Sequence, residues 1–125
     1  MTAMPNDALS MLEIRRLVED IHYRIDAFEI TEDVALRPKN KKEEALIDVV
    51  FMSVYRLLEE ANSLSFEVKS EYSEVPWDAV RGMRNRLAHD YSHVDRAVVW
   101  ETISDGIDEL GRIAGDYVEK RGLER

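Results

Sequence analysis

The sequence lacks cysteine altogether: none of its 125 residues is one. Without cysteine there is no disulfide and no thiolate metal site, which fits the reducing cytoplasm. No run approaches the roughly 18 apolar residues that a membrane span requires. Residues 1–10 also lack the basic and apolar regions of a secretion signal. We therefore expect a cytoplasmic protein that does not enter the membrane.

Positive charge is scarce as well: 17 Lys and Arg stand against 26 Asp and Glu, so the formal net charge is −9. Non-specific coating of nucleic acid needs broad positive charge, and this balance argues against it, although it is compatible with a small basic cleft. With 45% apolar and 34% charged residues, the composition is that of a folded globular domain. At this length we expect one domain over residues 1–125, with disordered ends at residues 1–7 and 121–125.

Regular spacing of apolar residues indicates helices, and no stretch is a convincing strand. We expect four long helices, at about residues 9–29, 41–64, 77–89 and 95–119. Pro38 lies in the loop after the first, and Pro76 suits the first turn of the third. Residues 65–75 are ambiguous and compatible with a further short helix. Four amphipathic helices joined by short loops predict an all-α fold. We expect an antiparallel four-helix bundle, which becomes a five-helix bundle if a further short helix forms.

Two of these helices have features beyond ordinary amphipathicity. In the second, Phe51, Met52 and Val54 widen the apolar stripe, which indicates a central helix or a dimer face. In the third, Gly82 carries a penalty of roughly 1 kcal/mol relative to Ala. A glycine at such a position suggests close packing against a neighbouring backbone.

Chemistry-bearing side chains concentrate in the stretch WDAVRGMRNRLAHDY, from Trp77 to Tyr91, which is slightly basic within an acidic chain. A guanidinium pairs with phosphate oxygens and stabilises charge that develops on phosphorus. An imidazole transfers protons near neutral pH. Together they suffice for RNA cleavage without a metal: the ribose 2′-hydroxyl attacks the adjacent phosphate, His89 moves protons, and Arg84 stabilises the pentacoordinate phosphorane.

The neighbouring polar residues have supporting roles in this scheme. Asn85 either orients His89 or donates to a non-bridging oxygen, and Arg81 and Arg86 are candidates for substrate binding. We expect no cofactor, and the segment has no His and carboxylate cluster with metal-ligand spacing. Arg84 and His89 lie about 140° apart on a regular helix. They meet only if the Arg side chain wraps round, if the helix ends near His89, or if a second subunit completes the cleft. A histidine among arginines at a helix end is more often structural or solvated, so spacing alone leaves that interpretation open.

The pattern Arg84-x4-His89-x-Tyr91 resembles the HepT family of small HEPN-domain ribonuclease toxins. Trp77 upstream of the motif, the segment VDRAVVW after it, and the earlier segment LLEEAN belong to the same resemblance. The resemblance covers residues 45–110 and is most specific in residues 76–100.

That resemblance implies an all-α HEPN bundle that forms a two-fold homodimer, with both motifs lining one cleft, and a metal-independent endoribonuclease toxin. It implies a minimal nucleotidyltransferase of the MntA type as antitoxin, which attaches AMP to the motif tyrosine. Arg84 and His89 match the catalytic pair, Asn85 the polar residue after the Arg, and Tyr91 the modified residue. Two other interpretations stay open: a non-catalytic helical partner of a nucleotidyltransferase, with Arg84 and Arg86 holding nucleotide or carboxylates, and a plain structural dimer.

Overall fold

Helices build all of the regular secondary structure in residues 6–123, the part of the chain that the structure, a computed structural model, describes. In chain order the α-helices are α1 (Asn6–Ala27), α2 (Glu32–Leu36), α3 (Lys41–Asn62), α4 (Phe66–Glu71), α5 (Trp77–His89), α6 (Arg96–Glu101) and α7 (Ile107–Lys120). A 3₁₀ helix spans Tyr91–His93, and a π-helical turn, Thr102–Gly106, joins α6 to α7. None of these helices combines the length and the apolarity needed to cross a membrane. The predicted all-α fold is confirmed.

The four long predicted helices correspond to α1, α3, α5 and the α6–α7 segment, and the ambiguous residues 65–75 contain the short α4. Helix α2 escaped prediction because its five residues are too few for an apolar period to show. It is capped by Thr31, whose side chain accepts a hydrogen bond from the Val34 N–H at 3.2 Å. The predicted fourth helix is interrupted by the π-helical turn, where Thr102 Oγ1 donates to the Val98 carbonyl oxygen at 3.0 Å.

The two segments predicted to be disordered are residues 1–7 and 121–125, of which the structure describes 6–7 and 121–123. Helix α1 already includes Asp7, whose carboxylate accepts hydrogen bonds from the Ser65 backbone N–H at 2.9 Å and from its hydroxyl at 2.6 Å. At the other end, Gly122 has a φ of 64° and continues a hydrogen-bonded turn after α7. The rest of the two segments, residues 1–5 and 124–125, lies outside the described residues.

The hydrophobic core lies where α1 packs against α3 and α7, and where α3 packs against α5. Each helix turns an apolar stripe toward this centre, and fully buried side chains there include Ile14 and Ile113. Of the residues that widen the α3 stripe, Phe51 and Val54 are buried, whereas Met52 is 55% exposed. Helix α3 is therefore a central helix that also presents an apolar side chain to solvent.

The prediction that Gly82 packs closely against a neighbouring backbone is wrong. Apart from the backbone of its own helix and its chain neighbours, a Cβ atom added at Gly82 would meet no atom of the described residues within 4 Å. The close approach lies instead at Gly111 in α7, where a Cβ would be 3.1 Å from Cγ1 of Val18 in α1. The glycine that permits tight helix contact is thus in the α1–α7 pair and not in the motif helix.

We expect Gly82→Ala to stabilise the protein by about 0.5–1 kcal/mol, because it restores helix propensity in open space. Chemical denaturation of the purified variant measures the change. Gly111→Ala is the matched control: its methyl group presses on Val18, so it gains less than Gly82→Ala or destabilises the fold. Equal stabilisation by the two substitutions would contradict the difference in packing.

Candidate active site

Helix α5 is held in place by Trp77 in its first turn. The indole Nε1 donates to the carbonyl oxygens of Lys69 and Tyr72, both at 3.1 Å, and the Lys69 ammonium lies 5.8 Å from the ring centre. One face of the helix enters the core, and it consists of Val80, Met83 and Leu87. The motif side chains are therefore carried on the outer face of a helix that is fixed at its first turn and along one side.

The Arg84 guanidinium is tied to two acceptors. Its Nε donates to Glu59 Oε1 at 2.6 Å, and its Nη1 donates to Asn85 Oδ1 at 3.0 Å. The hydrogen bond to Glu59 raises the pKa of the Arg84 guanidinium above its ordinary value, so the group stays charged. The Asn85 oxygen therefore acts on Arg84 in this structure and not on His89. Since α5 ends at His89, one of the three conditions under which Arg84 and His89 can meet is present.

His89 is exposed, and its imidazole has no hydrogen-bond or ion-pair partner within residues 6–123. The other two histidines of the chain both face carboxylates. His22 Nε2 is 2.7 Å from Asp108 Oδ1, and His93 Nδ1 is 2.8 Å from Asp90 Oδ1. His89 is thus the histidine whose ring nitrogens are open to a substrate.

Tyr91 lies in the 3₁₀ helix after α5, partly exposed at the wall of a cavity between α3 and α5. Its Oη donates a hydrogen bond to Asp48 Oδ1 on α3. Burial and this hydrogen bond raise the pKa of the Tyr91 phenol, so the hydroxyl is neutral at physiological pH. The cavity has a volume of about 460 Å³ and is lined by Asp48, Phe51, Met52, Tyr55, Leu87, Ala88 and Tyr91.

The predicted substrate-binding residues Arg81 and Arg86 have other surroundings. Arg81 pairs with Asp78 one turn earlier, at 3.0 Å. Arg86 lines a second cavity, of about 710 Å³, between α5 and the α6–α7 segment. The carboxylates of this second cavity are Asp78, Glu101, Asp105 and Glu109. Because like charges repel, these carboxylates disfavour the binding of a phosphate in that cavity. Arg86 lies on a different side of α5 from Arg84.

Two carboxylates of α3 belong to the site although the pattern Arg84-x4-His89-x-Tyr91 does not include them, and Glu59 lies in the segment LLEEAN that shares the resemblance. Asp48 holds the Tyr91 hydroxyl, and Glu59 holds Arg84. With Met52 and Tyr55 they follow a 4-3-4 spacing, which places all four on one face of α3. That spacing is visible in the sequence, but it is equally typical of a solvated helix face, so it could not identify the two carboxylates by itself.

Comparison with known proteins agrees with the resemblance that the motif predicts. The family model described as "Ribonuclease HepT-like" matches residues 12–116, more than half of the chain. "Putative RNase TTE0752" of Caldanaerobacter subterraneus subsp. tengcongensis is 32% identical over 79 residues, which are 63% of this chain and 70% of that protein. "Putative RNase MJ1216" of Methanocaldococcus jannaschii is 30% identical over 91 residues, 68% of this chain and 75% of that protein.

A further relative is named "Probable ribonuclease HepT", from Thermococcus cleftensis, and is 33% identical over 52 residues, 42% of this chain and 47% of that protein. No solved structure matches the chain. The family match agrees with the helical fold, and three of the similar proteins are named as ribonucleases. The chain belongs to the HepT-like ribonuclease family.

Proposed function

We propose that the protein is a toxin that cleaves RNA internally, without a metal ion, with Arg84 and His89 as its catalytic pair. One observation carries the proposal. The two side chains of the motif that would meet a phosphodiester lie on one turn and a half of α5, where Arg84 is held in a defined orientation and His89 has no partner in the described part of the chain. The chain belongs to a ribonuclease family, which also supports RNA cleavage as the reaction.

In the proposed reaction the ribose O2′ forms a bond to the adjacent phosphorus while the bond from phosphorus to O5′ breaks. Neutral His89 accepts the proton that leaves O2′, and the imidazolium so formed donates a proton to O5′ as its bond to phosphorus breaks. Arg84 stabilises the extra negative charge on the phosphorane oxygens. Asn85 supports Arg84 through its side-chain oxygen and can donate its amide N–H to a non-bridging oxygen. The products are a 2′,3′-cyclic phosphate and a 5′-hydroxyl end.

The proposed active form is a two-fold homodimer in which both copies of the motif line one cleft. Helix α3 supports this arrangement, because Val49 and Met52 are 42% and 55% exposed and an interface would cover such apolar side chains. Met52 also lines the Tyr91 cavity, so an interface there would lie beside the motif. A monomer at micromolar concentration would contradict the dimeric cleft.

The proposed protein partner is a minimal nucleotidyltransferase of the MntA type that acts as antitoxin. In the transfer, Tyr91 Oη attacks the α-phosphorus of ATP, pyrophosphate leaves, and the phenol proton goes to a base. The position of Tyr91 supports the proposal, since its hydroxyl lies at the wall of an open cavity and two residues from His89. AMP on Tyr91 would place a bulky anion beside the catalytic histidine, which blocks the cleft and repels RNA phosphate.

We expect Tyr91→Phe to keep RNA cleavage but to escape silencing by the nucleotidyltransferase, because the acceptor hydroxyl is gone. Growth assays of the variant with and without the partner measure the escape, and mass spectrometry counts the attached AMP. Tyr55→Phe is the matched control, since Tyr55 lines the same cavity and keeps Tyr91 intact. Full neutralisation of Tyr91→Phe would mean that the partner acts by contact and not by modification.

The test of the proposed function is incubation of the purified protein with RNA in EDTA. We expect cleavage products with cyclic phosphate and 5′-hydroxyl ends, and no cleavage of a substrate whose 2′-hydroxyl at the cut site is replaced by hydrogen. Cleavage that needs added metal, or cleavage of the deoxy substrate, would contradict the mechanism.

A non-catalytic binding module is the second candidate, and one observation favours it: Arg84 is already paired with a carboxylate of its own chain. On this interpretation the protein forms a complex with a nucleotidyltransferase, leaves RNA intact and is harmless when expressed alone. Growth arrest caused by the gene expressed without its partner distinguishes the toxin from the binding module.

A further inference from the structure

We propose that Glu59 is a positioning residue for the cleavage reaction: together with the Asn85 side chain it fixes the Arg84 guanidinium so that Nη2 is presented to an RNA phosphate. The inference rests on the proposed function. It assigns a role to a carboxylate that lies 25 residues before Arg84 in the chain and outside the motif.

The argument starts from the three nitrogens of the guanidinium. Nε donates to Glu59 and Nη1 donates to Asn85, at 2.6 and 3.0 Å, while Nη2 has no hydrogen-bond partner within residues 6–123. A guanidinium is planar, with its donors in a rigid fork. Two fixed nitrogens therefore define the plane of the group and the direction of the third. The nitrogen left over is the one that a phosphate oxygen can use.

The Arg84 side chain is less exposed than the other arginines that form ion pairs in the described part of the chain. The other arginines in ion pairs within residues 6–123 have side chains that are 41–69% exposed, whereas the Arg84 side chain is 25% exposed. Exposed pairs of long side chains exchange partners easily and hold little orientation. Glu59 itself is 47% exposed, so the difference lies in the Arg84 side chain, which has less room to change rotamer than the more exposed arginines.

Both partners of the pair are attached to well-packed helices. Glu59 follows Leu57 and Leu58 near the end of α3, and Arg84 follows Met83 in α5, and these three apolar residues are buried. The bond therefore joins two rigid elements, which is the arrangement that holds a reacting group in place. A free arginine would have to lose its rotamer freedom when RNA binds, whereas Arg84 has lost it beforehand.

The same carboxylate has an opposing effect on RNA attraction. It places a negative charge beside the cation that should meet phosphate, on a chain whose formal net charge is −9. A purely electrostatic site would omit it. The two effects of Glu59 can therefore be measured separately. Loss of the acceptor oxygen frees the Arg84 guanidinium and should lower kcat, whereas loss of the negative charge favours RNA binding and should lower KM.

The experiment compares Glu59→Gln and Glu59→Ala with the wild-type protein by steady-state cleavage of one RNA substrate. Gln keeps an acceptor oxygen without the charge, so we expect kcat within about threefold of wild type and KM lower by about fourfold, the effect of one unit charge at 5 Å in water. Ala removes the acceptor, and we expect kcat to fall about 10- to 100-fold, the effect of a misplaced reacting group. Neither variant should raise KM.

Two controls isolate positioning from stability and from net charge. Glu60→Ala makes the same change in net charge one residue along α3 and should leave kcat unchanged. In Arg84→Ala, the additional change Glu59→Ala should cost nothing further, because the group that Glu59 positions is absent. Thermal unfolding of each variant shows whether the bundle is intact.

Several results would overturn the inference. They are a wild-type kcat in Glu59→Ala, equal kcat losses in the Gln and Ala variants, or a further loss when Glu59→Ala is added to Arg84→Ala. If the wild-type protein cleaves RNA and one of these results is found, only the role of Glu59 falls. If the wild-type protein leaves RNA intact, the proposed function falls and takes the role of Glu59 with it.

Discussion

His89→Ala is expected to lower kcat/KM for RNA cleavage by about 10²- to 10⁴-fold, the usual contribution of a general acid–base group. The reason is that His89, at the end of the motif helix, has no carboxylate partner among residues 6–123, whereas His22 and His93 each face one. Its removal deprives O2′ and O5′ of a nearby proton acceptor and donor. Cleavage of a labelled RNA in EDTA under single-turnover conditions measures the effect.

His93→Ala is the control for this prediction. His93 lies four residues further on and is also exposed, but its Nδ1 faces Asp90 at 2.8 Å. We expect that variant to cleave RNA within about threefold of the wild-type rate, as is usual for surface changes away from the reacting groups. Equal losses in the two variants would show that the sensitivity belongs to the loop after α5 and not to a proton-transferring imidazole.

Arg84→Lys is expected to lower kcat by about 10²- to 10³-fold, the usual loss when one donor to a developing oxyanion is removed. Charge is retained in this variant, so the loss reports geometry. Lysine has a single nitrogen on a flexible chain, and it cannot contact Glu59 and Asn85 and still present a fixed donor to phosphate. The measurement is kcat at saturating RNA, with binding followed separately by a filter assay.

The matched variant is Arg86→Lys, which makes the same chemical change two residues along α5. Since Arg86 lines the second cavity with its four carboxylates, we expect kcat to stay within about threefold of wild type, as for other surface substitutions. A loss as large as that of Arg84→Lys would place the reacting phosphate on the other side of α5 and would contradict the grouping of Arg84 with α3.

The long helices were predictable because burial on one side imposes a period on many residues. The bounds of α5 agree with the prediction at both ends, since Pro76 precedes its first turn and His89 is its last residue. Helix α2 was missed because five residues do not complete a second turn, although Thr31 before two acidic residues is a cap signal. The error at Gly82 has a different cause. A glycine inside a helix either permits a close contact with a neighbouring element or lies in open space, and its sequence context is the same in both cases.

From the sequence, only the part of the site that lies within a single helix was predictable. Arg84, Asn85 and His89 share one helix, and their chemistry follows from residue type and spacing. The two carboxylates that hold the motif side chains come from α3, at sequence separations of 25 for Glu59 and 43 for Asp48. Which acidic residue of α3 reaches which motif residue depends on how α3 and α5 are rotated about their axes, and no local pattern encodes that rotation.

The π-helical turn keeps one apolar face in phase across two successive helices. Val99, Ile103 and Ile107 are all buried and follow one another at intervals of four residues. Four residues of an α-helix rotate by about 40° more than one full turn. On an unbroken α-helix, the apolar side chains would therefore drift around the helix axis. A wider turn advances less per residue and cancels the drift. As a result, α6 packs against α2 and α7 packs against α1 through one continuous apolar face. If the same residues formed an unbroken α-helix, part of that face would point toward solvent.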